Sequence, residues 1–332
     1  MRAVGALNGA AFALALGAST VAVWLARPAS PREVPTGEAA ASALVAPPGD
    51  LVDRAGVSIP RRDYRRIVSV SPLADEILLE ICEPDRVIAF AAGSARRDAD
   101  GFRYAGKPTI EHLDDVERIL SLHPDLVLAN GIGDPRPVAR LREAGLVVFD
   151  LGEMRGLSTL VPQIHELAEI LGHPERGERF ADAFIEQMNE VAADVPLSSR
   201  LRAIYVGAYG DNLFGGALET SYHDVLVGAG LLDAASSYRG SPQYTAEQVL
   251  TMDPDVIVTS VGMRQRLCAR PGLAMMRACK GRARIVEIDG DLLSDPGPWM
   301  VEAARLIRSA VYGEPPYGPS PIRQPTTRPP AP

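Results

Sequence analysis

Cysteine is scarce in this chain, with only Cys82, Cys268 and Cys279 in 332 residues. None belongs to a CxxC pair or to a Cys/His cluster with zinc spacing, which excludes a zinc finger or ribbon. Lysine is scarcer still: Lys107 and Lys280 stand against a wealth of arginine. Arginine-biased codon usage in a GC-rich genome explains this more simply than a demand for anion binding. Basic side chains number 34 and acidic ones 42, a formal charge of −8. With no basic surplus to neutralise phosphates, nucleic acid is excluded as a partner. Catalytic signatures are missing as well. There is no G-x-S-x-G elbow, no P-loop and no G-x-G-x-x-G after the first strand. His112, His123, His165, His173 and His223 form no H-E-x-x-H and no i, i+4 pair.

One long apolar run exists, and it is at the N-terminus. After Arg2, the stretch Ala3–Ala26 carries no charge. A positive start followed by an apolar run reads as an export signal. The run also suffices to cross a bilayer, which takes about 20 residues. Residues 1–27 are therefore expected to be a signal peptide or a membrane anchor, and the protein periplasmic or extracytoplasmic, soluble or anchored. No cysteine precedes Cys82, so attachment through an N-terminal lipidated cysteine is not expected. In an oxidising compartment Cys268 and Cys279 could pair, closing a short loop for about 2–3 kcal/mol; the alternative is two buried thiols. Cys82 reads as a core thiol.

What remains has the 46% hydrophobic and 23% charged content of a globular protein. Residues 28–63, rich in Pro, Ala and Arg, read as a disordered linker. From 64 to 156, short β-branched strands alternate with amphipathic helices, which implies a parallel sheet covered by helices. Ser71-Pro72 has the residues for a helix start, a serine cap and a proline in the first turn. Residues 157–195 show no strand signal; Phe180, Phe184, Ile185, Met188 and Val191 recur at helical spacing. A helix of about 20 residues, roughly 30 Å long, would serve as a strut. Strand–helix alternation resumes over 196–313, and the Pro-rich end, 314–332, reads as disordered.

The two halves share a phrase. Glu117-Arg-Ile-Leu-Ser-Leu-His-Pro-Asp-Leu-Val-Leu-Ala aligns with Glu247-Gln-Val-Leu-Thr-Met-Asp-Pro-Asp-Val-Ile-Val-Thr. The leading glutamates, Leu120/Leu250, Pro124/Pro254 and Asp125/Asp255 coincide, and apolar matches apolar. Convergence on one αβ turn would explain part of this; two similar lobes explain all of it. The fold expected is α/β, two Rossmann-like lobes joined by one long backbone helix, with a ligand cleft between them.

Ile67-Val-Ser-Val-Ser-Pro, the two glutamate phrases and Leu293-Ser-x-Pro-Gly-Pro298 together resemble the periplasmic binding proteins of ABC importers for vitamin B12, iron–siderophores and haem. The resemblance covers about residues 64–313. It implies a monomeric solute receptor without enzymatic activity or cofactor, whose small-molecule cargo is a metal chelate containing iron or cobalt. It also implies that Glu117 and Glu247, one on each lobe, dock on arginines of a transmembrane permease dimer. As first-turn helix residues both glutamates also suit the helix dipole. Where the B12 binders carry a cleft tryptophan this chain has Glu111-His112, and Trp299 replaces the usual arginine after Pro-Gly-Pro. The loops expected to face the cleft hold Tyr104, Glu111, His112, Tyr209, Tyr222, Tyr244 and Trp299, a concentration of aromatics suited to a flat or conjugated ligand. Glu111, His112 and Tyr222 are alternatively ligands for a metal or haem iron, with His112 the best candidate. Two other readings stay open: a receptor for free metal ions, and a chelatase-type enzyme using the same cleft.

Overall fold

A computed structural model describes residues 50–97, 106–131, 133–281, 284–294 and 297–314. The order begins with a small antiparallel hairpin, β1 (Leu51–Val52) and β2 (Ser58–Ile59). The first lobe follows: β3 (Ile67–Ser69), α1 (Pro72–Ile81), β4 (Val87–Ala91), α2 (Ala92–Arg97), β5 (Thr109–Ile110), α3 (Val116–Ser121), β6 (Leu126–Ala129), α4 (Arg136–Glu143) and β7 (Val148–Asp150). Its five strands are all parallel, in the order β5-β4-β3-β6-β7. The order reverses beside β3, so the β3–α1 turn at Ser71-Pro72 lies at the switch point where such sheets bind ligands.

Two helices then run in succession, α5 (Leu157–Ile170) and α6 (Pro174–Glu190). The second lobe comprises β8 (Arg202–Tyr209), β9 (Asn212–Gly216), α7 (Ser221–Gly228), β10 (Leu232–Asp233), β11 (Gln243–Tyr244), α8 (Ala246–Met252), β12 (Val256–Ser260), α9 (Met263–Cys268), β13 (Arg284–Ile288), α10 (Gly290–Ser294) and α11 (Met300–Tyr312). Its sheet runs β11-β9-β8-β12-β13, with β10 also on β8. Here β8 and β9 pair antiparallel, while β12 is parallel to both β8 and β13.

Local chemistry accounts for the element ends. Ser71 caps α1, its Oγ accepting from Ala74 N at 3.3 Å. Thr245 and Gln248 close a capping box on α8. The duplicated phrase folds into the same turn twice. The residue before each proline, His123 (φ 49°) or Asp253 (φ 37°), is left-handed. The aspartate after each proline then accepts from the neighbouring strand's entry. Asp125 takes Arg66 N at 2.9 Å and Arg65 N at 2.8 Å; Asp255 takes Arg202 N at 3.1 Å. The Pro-Asp pair is thus a clamp between adjacent parallel strands.

Alternation along the strands divides the core by face. One buried cluster runs from Ile67, Ile77 and Phe149 of the first lobe, through Ile164, Leu167, Phe184 and Met188 of α5 and α6, to Tyr205, Val258 and Ile307 of the second. Val68, Ile119, Val127 and Leu141 fill the other face of the first sheet, and Ile204, Val206, Val249 and Leu267 that of the second. The 17 residues of α6 span about 25 Å and pack on α5, on α1 and on α11. Close approach of α5 and α6 needs Gly177, whose hypothetical Cβ would sit 2.2 Å from that of Ala168.

Four expectations are corrected. The fold begins at Leu51, not at 64: Asp53, Ile59 and Tyr64 are buried, and Asp53 accepts from Ala55 N and Val57 N to close the hairpin that the linker reading of 28–63 overlooked. The strut is three residues shorter than about 20, and α5 lies beside it as a partner. The loop expected to carry Tyr209 into the cleft is mostly the β8–β9 hairpin, because Asn212 opposes Tyr209 across a tight turn through Gly210 (φ 55°). The stretch after β4, a polar loop by its composition over 93–106, opens instead as helix α2. The apolar N-terminal segment and the Pro-rich end lie outside the described residues.

Candidate functional site

From the carboxyl end of β7 the chain runs through residues 151–156 to the start of α5, where Leu157 meets α7 of the second lobe before α5 and α6 make the crossing. The carboxyl ends of the parallel strands are the position that α/β sheets use for ligands. On the first lobe the loops there are held by buried carboxylates. Asp75 of α1 accepts from Ala91 N at 3.0 Å, fixing the helix to β4. Asp150 accepts from Gly131 N and Gly152 N, both at 2.9 Å, fixing the β6 loop to the segment after β7.

The entry to α5 has its own lock. Gly156 precedes α5 with φ +76°, and Leu157 N donates to Asp224 Oδ2 of α7 at 2.7 Å. A carboxylate from one lobe thereby caps a helix entering from the other. Burial raises the Asp224 carboxyl above its usual range, against the opposing pull of the Leu157 N–H and of His223. Nearby, Arg155 lies 3.9 Å from Glu219, which also pairs with Arg239. Glu219 is one of three non-glycine residues with positive φ among those described.

The expected site residues distribute as follows. Tyr209, at the end of β8, is 82% exposed, and Val261, just past β12, is 69% exposed. They give the carboxyl edge of the second sheet an apolar rim. Trp299 is half-buried immediately before α11. Glu111 and His112 are exposed after β5. Tyr222 is stacked on Tyr205, ring centroids 3.8 Å apart, and burial raises its hydroxyl well above the usual range. Tyr244 is only 4% exposed; its ring lies against Gly215 in the second core, edge-on to Tyr238 at 5.6 Å. Placed there it is a core residue and not a rim residue, because β11 pairs with β9 and turns the ring inward over a glycine. Tyr104 lies outside the described residues.

Neither Glu111 nor His112 joins a group of three His, Cys, Asp or Glu able to hold a metal among the described residues. Tyr222 is engaged with Tyr205. His173 instead meets Glu83 at 2.7 Å, and His223 meets Asp233 at 2.7 Å. Cys268 and Cys279 form a disulfide with Cα atoms 5.4 Å apart, and Cys82 is a buried free thiol. Glu117 and Glu247 occupy the first turns of α3 and α8. Both are exposed, and among the described residues neither carboxylate has an ion-pair or hydrogen-bond partner.

Sequence reasoning missed Asp224 and Glu219, and although it expected the loop 260–264 to face the cleft it did not single out Val261. Val261 ends an apolar strand and carries no sign of its exposure. Asp224 reads as an ordinary first-turn acid of α7, since its partner is 67 residues away. Among the described residues no helix is long and apolar enough to cross a membrane.

The geometry has relatives. A substrate-binding lipoprotein of an ABC transporter from Bacillus subtilis, YvrC, is 23% identical over 264 residues, covering 76% of this chain and 81% of its own. A vitamin B12-binding protein of Yersinia pestis is 27% identical over 211 residues, 61% of this chain and 72% of its own. Among solved structures, the periplasmic haem-binding protein RhuT of Roseiflexus superposes with a TM-score of 0.61 at 25% identity, covering 74% of this chain and 97% of that one. The periplasmic binding protein family matches residues 67–292, from the first strand of the first lobe to α10 of the second. Two sheets, a bridging helix pair and a match across both lobes make this chain a member of the periplasmic binding protein family.

Proposed function

We propose that the protein is an extracytoplasmic receptor that takes a metal chelate (a corrinoid, a ferric siderophore or haem) between its lobes and delivers it to an ABC permease, with no chemistry of its own. The observation that carries the reading is the family match across both lobes, joined by relatives named for B12 and haem. The exposed Tyr209–Val261 rim suits a flat, conjugated cargo. Iron or cobalt would belong to the cargo and not to the protein. Purified protein titrated with cyanocobalamin, haemin and a ferric siderophore should shift the absorption band of one of them, with saturation at one equivalent. No shift with any of the three sinks the reading.

Glu117 and Glu247 are the docking residues in this proposal. Each stands at the same place in its lobe, exposed and without an internal partner. Isolated exposed ion pairs contribute only about 0–1 kcal/mol, so two held at a fixed separation set orientation more than affinity. Charge reversal of both, Glu117→Arg with Glu247→Arg, should abolish uptake in cells while leaving the absorption titration unchanged. Uptake that persists would show that the permease meets another surface.

A further inference from the structure

The first lobe has a recess at the end of its sheet opposite the strand-end loops. It lies where β3 and β4 begin and α5 turns into α6, and its volume is about 540 Å³. Arg61, Arg62, Arg65 and Arg86 line it, facing Asp63, Glu83 and Glu169. In a chain of net charge −8, a recess where guanidiniums outnumber carboxylates is a local reversal of sign.

Three carboxylates do not saturate these donors. Arg61 is bonded to Glu169, Arg65 to Asp63, and Glu83 is shared among Arg86 (3.1 Å), His173 (2.7 Å) and Arg176 (2.8 Å). Arg62 lies over the Tyr64 ring at 4.9 Å and donates to Asp125 O at 3.0 Å, with no carboxylate of its own. Arg86 is the anchor. Its side chain is only 7% exposed, Nε donates to Tyr64 O at 2.7 Å and Nη1 to Leu171 O at 3.0 Å. Its Nη2 is buried without a hydrogen-bond partner; Asp63 Oδ1 is 3.9 Å away, beyond bonding range. Native proteins rarely leave a buried charged donor unmet, because its desolvation is then uncompensated.

We infer that this recess is a binding site for a tetrahedral oxyanion of the phosphate or sulfate type, received by Arg86 Nη2 and the guanidiniums of Arg62 and Arg65. Guanidinium forks match the oxygens of such anions, and charge-assisted bonds of this kind are the strong ones. A bound anion would brace three segments at once: the chain entering β3, the turn entering β4 and the α5–α6 connection. The site is independent of the cleft between the lobes and of its cargo.

The test is thermal unfolding of the full chain at pH 7 in phosphate, in sulfate and in sodium chloride at matched ionic strength, with titration calorimetry to give the affinity. A saturable rise in midpoint with phosphate or sulfate, absent in chloride, is expected. Arg62→Gln with Arg65→Gln should weaken that affinity by about tenfold or more, and should leave the cleft's absorption titration alone. Arg86→Gln is the stronger variant, but its bonds to Tyr64 and Leu171 make it a folding risk; the exposed pair keeps the test decisive. A midpoint that follows ionic strength alone, or an affinity unchanged in the double variant, overturns the assignment.

Discussion

His223 illustrates how much one residue can carry. Its Nδ1 meets Asp233 Oδ2 at 2.7 Å, with Asp233 almost wholly buried. The hydrogen bond to Asp233 raises the imidazole above its ordinary value of 6.5, burial opposes this, and the charges of Asp233 and Asp224 add to the rise. A raised folded value means that the protonated form is the one stabilised. The contribution is fully present below the unfolded value and disappears as pH rises through the folded one. The melting midpoint should therefore fall as pH rises above the ordinary imidazole value of 6.5 and through the raised folded one, and His223→Gln should flatten that part of the profile. An equally steep profile in the variant would assign the effect to another group. None of this is legible in the sequence, where His223 is one histidine among five. The exposed glutamates were legible, because the repeat marks them.

At the scale of elements, the entry to α5 is the sharpest constraint. Gly156 has φ +76°, and a Cβ there would lie 2.1 Å from Asp224 Oδ2. Gly145 has φ +86° with nothing within 4 Å. Alanine at either site incurs left-handed strain of about 1–3 kcal/mol. Only Gly156→Ala should also displace the Asp224 cap, typically worth about 1 kcal/mol. Urea denaturation should therefore show Gly156→Ala less stable than Gly145→Ala; equal losses would mean that Asp224 yields at no cost. Strand and helix existence was readable from periodicity and caps, as α1 behind Ser71-Pro72 shows. The β1–β2 hairpin was not readable, since its hydrogen bonds centre on Asp53, and a two-residue strand has no period. The β8–β9 turn was missed for a related reason: alternation continues into it, and only pairing separates hairpin from loop.

At the scale of the molecule, one buried cluster threads both lobes through α5 and α6. Lobes that share a core cannot lose it separately. Calorimetry should show a single transition whose calorimetric and van't Hoff enthalpies agree, and two resolved endotherms would count against a shared core. The same continuity limits how far the lobes can swing about a bound ligand, since a wide hinge opening would expose Leu167, Phe184 and Ile307.

The sequence by itself determined the α/β class, the two-lobed plan, the bridging helix and the positions of Glu117 and Glu247. Those follow from short-range signals: strand alternation, helical spacing, caps and a Pro-Asp turn written twice. Tertiary structure alone decided which tyrosines face solvent. Tyr209 and Tyr244 look alike in sequence, yet one projects from the end of a strand and the other lies over Gly215 in the core. Tertiary structure also decided that Asp224 caps a helix 67 residues away and that Arg86 gathers Tyr64, Glu83 and Leu171 around one guanidinium. Burial and long-range pairing depend on which segments meet, and no local pattern in the chain records that.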